Sequence, residues 1–219
     1  GVEILNHYRG HQVLEVSVPI SEISGIGDLG FVKWVEEIPS PPEKEDSRGK
    51  SLHRSNGLDT QTPTGRNYTG AGIGVLVRDD GIVGPHIDFE GRIDNSTATG
   101  SGQTHGDGVA GILTGAGNLD PTKRGMAAGA NLYVSNYGSN FLDGATTTRI
   151  NNGTVQITNS SYGDGCNGGY TNNTVNVDNQ IFNNPTLLHV FSCGNSGTSN
   201  CSYGAGSGWG NITGGHKQG

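Results

Sequence analysis

Four short apolar runs, each released after a few residues into a polar or glycine-rich turn, limit what this chain can fold into. They lie at Ile73 to Val77, Leu132 to Val134, Val155 to Thr158 and Leu187 to Ser192. Short, nearly continuous apolar runs bounded by turn residues read as strands buried on both faces, the kind that a parallel sheet uses. Between them, Val109, Ile112 and Leu113 follow one another at helical spacing, and so do Val177, Ile181 and Phe182. Strands alternating with helices predict an α/β fold, a mostly parallel sheet with helices on both faces.

Composition narrows the function classes. The chain has 219 residues, enough for one well-cored domain with some extra sequence. Its 13 Lys and Arg against 20 Asp and Glu leave no basic cluster, so nucleic acid is not an expected partner. No apolar stretch approaches the ~20 residues of a membrane helix, so no membrane partner is expected either. The sequence opens on Gly1 with neither a Met nor a signal peptide, and is read as a piece of something longer. Residues 1–45 are expected to be an N-terminal extension or propeptide remnant plus linker. They alternate in places (Val16, Val18, Ile20) and stop at Pro39-Ser40-Pro41-Pro42, ahead of a charged stretch. Residues 46–219 hold the main domain. Of three cysteines, Cys193 ends an apolar run and is expected buried and free, while Cys166 and Cys201 lie in loops and form the candidate disulfide.

Two residues stand where such a sheet does chemistry. Asp79 ends the first strand, and open α/β sheets place their sites beyond the carboxyl ends of strands. Asp79-Asp80-Gly81 also fits an ordinary Asp-Gly turn. His105 opens a helix whose glycines at 106, 108 and 111 allow close approach to the sheet. The intervening sequence is long enough for a crossover that returns His105 to the same sheet edge. His86 reads as a loop histidine, and a metal set of His86, Asp88 and His105 matches no standard zinc spacing. The glycines at 70, 72 and 74 precede a strand instead of following it, which leaves a nucleotide-binding α/β protein as a distant alternative. Asn67, Asn95, Asn152, Asn159, Asn172 and Asn211 begin Asn-x-Ser/Thr sequons, of which Asn159, at a strand end, is taken as accidental.

Taken in order, these stretches resemble the subtilisin-like serine peptidases (subtilases). Val77-Arg78-Asp79-Asp80-Gly81 resembles the aspartate motif, a strand followed by Asp-Ser/Thr-Gly, with Asp80 as a departure. His105 to Gly111 is similar to the histidine motif His-Gly-Thr-His-Val-Ala-Gly, with Asp107 and Gly108 replacing the Thr and the second His. Gly125 to Val134 resembles the Gly-x-Ala-Pro-x-Ala segment and its strand. Ser161-Tyr162-Gly163 resembles the substrate-binding strand, and Gly194-Asn195 the oxyanion asparagine motif. The likeness runs from about Gly70 to Gly197, and the junction around Pro39 to Pro42 and His53 to Asn56 is similar to the one preceding the catalytic domain of secreted bacterial members.

The resemblance implies a subtilisin-like fold truncated before its central nucleophile helix, and a secreted, monomeric serine endopeptidase acting on polypeptide. His105 would be the base that takes a serine proton, Asp79 would hold its tautomer, and Asn195 would donate to the developing oxyanion. Ser161, Tyr162 and Gly163 would pair with extended substrate backbone. The family's Gly-Thr-Ser-Met-Ala-x-Pro does not occur before Gly219. Gly197-Thr198-Ser199 follows Asn195 too closely and runs into a turn-like sequence that could not form the helix. These residues alone are therefore expected to be inactive. Structural calcium is common in the family, though no Asp/Asn cluster here has a spacing that assigns it. The alternative is a catalytically inactive binding or adhesion module on the same fold, kept open by Gly108.

Overall fold

The computed structural model describes residues 1–38, 43–44, 58, 62–100, 104–137, 143–163 and 170–195. The chain divides into two compact units, Gly1–Ser40 and Pro41–Gly219. In the first, strands β1 (Glu3–Tyr8) and β2 (Val13–Ser17) form an antiparallel hairpin, followed by a short helix α1 (Ile23–Gly27). Gln12, in the left-handed conformation at φ 57°, turns the chain between the two strands. The alternation noted at Val16 is that of a hairpin strand.

The second unit is built on a five-stranded parallel sheet whose strands lie side by side in the order Ile93–Thr97, Asn131–Asn136, Gly74–Asp79, Ile157–Ser160, Leu188–Phe191. Its strands are β4 (Gly74–Asp79), β5 (Ile93–Thr97), β6 (Asn131–Asn136), β7 (Ile157–Ser160) and β9 (Leu188–Phe191). Helices α2 (His105–Thr114), α3 (Gly144–Asn151) and α4 (Asn172–Asn183) lie between them. The fold is α/β, a parallel sheet with helices between its strands, as the alternation of runs predicts. β4 is central and buried along its whole length, which is why its apolar run is continuous. Successive residues of a strand point to opposite faces. Val77 packs in one cluster with Ala110 of α2, Leu132 and Val134, whereas the next residue, Arg78, reaches Thr146 of α3. Helices therefore cover both faces.

Three sequence expectations need correction. β5 was not foreseen: its sequence Ile-Asp-Asn-Ser-Thr is polar and half-buried, and among the described residues it pairs only with β6, at the sheet margin. The helix at 172–183 forms, but of the expected apolar face only Val177 is buried, at 4% exposure against 41% for Ile181 and 85% for Phe182. The rest of its buried face is polar: Asn173, Thr174, Asn176 and Gln180. Cys193 is free as expected but exposed, because β9 lies at the edge of the sheet among the described residues and its Leu188 and Val190 are themselves solvent-facing. Cys166, Cys201 and the Gly197-Thr198-Ser199 stretch lie outside the described residues.

Arg92 and Asp107 help hold the helix of His105 to this frame. Arg92 donates to the Thr114 carbonyl at the end of α2 (3.0 Å) and to the Ala130 carbonyl ahead of β6 (2.7 Å). A cation there also suits the negative end of the helix dipole. The Asp107 carboxylate accepts from the Gly84 N–H at 2.7 Å, tying the first turn of α2 to the loop after β4.

Candidate active site

At the carboxyl edge of the sheet, β4 delivers Asp79 and α2 delivers His105. Asp79 is fully buried, and the Tyr137 N–H secures its carbonyl at 2.7 Å. Asp79 Oδ1 lies 2.7 Å from His105 Nδ1 and accepts a second hydrogen bond from the Asp80 N–H at 2.9 Å. An ionised carboxylate only accepts, so Nδ1 carries the imidazole proton and Nε2 is left as the basic nitrogen. The imidazole is largely covered, with 13% of its side chain exposed.

Burial pushes the Asp79 carboxyl above its ordinary range; the hydrogen bond and positive charge of His105 and the Asp80 N–H pull it back, and the Asp80 charge adds to the rise. This pair can accept a proton at Nε2 and stabilise the resulting imidazolium through Asp79.

Ser161, Tyr162 and Gly163 follow directly on β7, at the same edge of the sheet. Tyr162 is wholly buried with its ring against Tyr137 (centroids 5.1 Å apart), and Ser161 Oγ accepts from Asn159 Nδ2 at 2.9 Å. Tyr162–Gly163 forms β8, and its backbone pairs antiparallel with the two-residue strand β3 (Glu43–Lys44) of the same chain. Asn195 is exposed on the turn beyond β9, after Gly194 at φ 93°.

His86 is apart from this pair: it accepts from the Asp88 N–H at 3.2 Å in its own loop. Among the described residues no group of three or more His, Cys, Asp or Glu side chains could hold a metal ion, so no calcium site is assigned to them. No helix among them is long and apolar enough to cross a membrane.

Two participants escaped the sequence reading. Tyr137 braces both Asp79, through its N–H, and Tyr162, through its ring. Asp80, noted only as a departure from a motif, accepts the His105 N–H at 3.2 Å on Oδ2 and the Gly106 N–H at 2.9 Å on Oδ1. The signal available was an acid immediately after a strand-terminal acid. Its partners are main-chain groups on another element, which no local pattern reveals.

The subtilase family model matches residues 70–214. Among solved structures, the crystal structure of MycP1 with the N-terminal propeptide removed is similar at 21% identity, with a TM-score of 0.39. The alignment covers 62% of this chain and 47% of that one, so the chain spans about half the length of that relative. No curated protein matches in sequence.

Proposed function

The chain belongs to the subtilase family, and we propose that it carries the acid–base half of a serine endopeptidase site. The observation that supports this most directly is the 2.7 Å contact between buried Asp79 and His105 Nδ1. In the proposed reaction, His105 Nε2 takes the proton of the attacking serine hydroxyl as the Oγ–carbonyl bond forms. It then gives that proton to the leaving amine as the C–N bond breaks. Asp79 stabilises the imidazolium between the two transfers. Asn195 is the proposed oxyanion donor, and the edge at Ser161 to Gly163 the proposed seat for extended substrate. That β8 already pairs with another extended segment supports this last assignment.

The test uses the full natural polypeptide and a fluorophosphonate, which labels an activated serine. His105→Ala should slow labelling by about 10²–10⁴, the usual contribution of a positioned base, with circular dichroism unchanged. Labelling at the parental rate would place the base elsewhere. A parent protein that is not labelled at all would favour the binding-module reading, which Gly108 supports by standing where the family has its second histidine.

A further inference from the structure

We propose that Asp80 is a positioning residue: its carboxylate seats the first turn of α2 on the end of β4 and so holds the His105 imidazole against Asp79. The proposal rests on the peptidase reading for its consequence in catalysis, though not for the geometry.

A helix begins with backbone N–H groups that have no partner within it, and the residue before the helix commonly caps one of them. Here that residue, Thr104, makes no side-chain cap hydrogen bond. The two N–H groups at the start of α2, His105 and Gly106, are instead taken by Asp80, at 3.2 and 2.9 Å. The cap comes from another element, the end of β4, from the residue next to the one that binds the imidazole. Adjacent carboxylates thus divide one task, Asp79 holding the His105 ring and Asp80 holding its main chain.

The residue types fit that division. A carboxylate offers two oxygens and serves both N–H groups, one on each, as the contacts show; a serine or threonine hydroxyl at this position would offer one. Negative charge also suits the positive end of a helix. Gly106 completes the seat, since a Cβ there would lie 2.8 Å from Asp80 Oδ1 and 3.2 Å from Asp79 Cβ. The arrangement has a cost, because a second anion stands beside a buried Asp79 whose carboxyl is already raised. That cost is offset by fixing the Nδ1–Oδ1 distance, on which the direction of Nε2 depends.

The test compares Asp80→Asn, Asp80→Ser and Asp80→Ala with the parent in the full natural polypeptide. The readouts are the fluorophosphonate labelling rate, kcat and KM on a peptide substrate, and the low-field proton resonance of His105 Nδ1–H. Asn and Ser each keep one acceptor, Ala none. Labelling and kcat should fall about ten-fold for Asn and Ser and about a hundred-fold for Ala, as for a misplacement on the order of 1 Å. KM should hold, and the resonance should broaden in the same order. Parental kinetics and an unchanged resonance in all three variants would overturn the proposal. So would a lowered Tm with kinetics and resonance unmoved, which would make Asp80 a structural cap only. If the parent neither labels nor cleaves, the peptidase reading has failed, and the resonance still decides whether Asp80 holds the ring.

Discussion

Gly106→Ala puts the close approach of α2 to β4 to a direct test. By helix propensity alone the change should stabilise the chain by about 1 kcal/mol, because glycine is the poorer helix former. The structure reverses that sign. The new Cβ would sit 2.8 Å from Asp80 Oδ1 and 3.2 Å from Asp79 Cβ, where ordinary contact begins at 3.4 Å. Asp80 has a short side chain held by two N–H groups, and Asp79 Cβ moves only with β4, so neither yields freely. Relief needs α2 to lift by about half an ångström, a mild overpacking that costs about 1–3 kcal/mol. Subtracting the propensity gain leaves a net loss of about 0–2 kcal/mol. Gly108 serves as the control on the same helix, since its Cβ would meet nothing within 4 Å. Gly108→Ala should therefore gain the full propensity term, a Tm rise of about 2–4 °C for a chain of this size. Urea unfolding and thermal melts of the two variants measure the gap, and fluorophosphonate labelling should slow only for Gly106→Ala. Equal stabilisation by both alanines, with parental labelling, would mean that the approach of α2 to Asp79 and Asp80 is not tight.

Two further predictions concern buried charge. Because burial raises the Asp79 carboxyl, the folded chain holds that proton more tightly than the unfolded chain does, and the ionised form costs stability. That cost is absent below the unfolded pKa of about 3.9 and grows as pH rises towards the higher folded value. The Tm of Asp79→Asn minus that of the parent should accordingly increase from about pH 3 towards neutrality; a difference that shrinks with pH would show that His105 and the Asp80 N–H outweigh burial. On the opposite face, Arg78 is 1% exposed and pairs at 3.0 Å with Asp143, which is 42% exposed and also caps α3 through the Thr146 N–H. Asp143→Ala deprives a buried guanidinium of that carboxylate and α3 of its cap, for about 2–4 kcal/mol. Arg78→Met leaves Asp143 within reach of water and should cost about 1 kcal/mol or less. Urea denaturation ranks the two, and the reverse order would refute this account of the pair.

What the sequence made legible follows from where each interaction is encoded. β4 and β6 showed as apolar runs because a central parallel strand is apolar on both faces, whereas β7 was marked only by Val155 and Ile157 at its start, since its own Ile-Thr-Asn-Ser buries Thr158 and Ser160; Asp79 and His105 showed because each sits in its own local motif. β5 did not show, since a margin strand with a polar face carries no run. α3 did not either: its Gly-Ala-Thr-Thr-Thr-Arg-Ile-Asn has no apolar period, and its buried face is Thr146, Arg149 and Ile150. Arg149 reaches Asp94 of β5 at 3.1 Å and stacks over Tyr133 of β6 at 5.0 Å, contacts that exist only once the sheet has formed. The same division runs through the candidate site. His105 is encoded in one place, but the groups that contact it need not be. Asp80 acts on N–H groups of a helix far along the chain, so its sequence signature is only an acid after an acid. Departures from a family motif are therefore where geometry has the most to add. Asp80 departs from the hydroxyl pattern and gains two main-chain contacts, while Gly108 departs from the second histidine and gains none that a Cβ would disturb. The first departure sets a carboxylate on the start of α2; the second leaves a helix position where a Cβ would meet nothing within 4 Å.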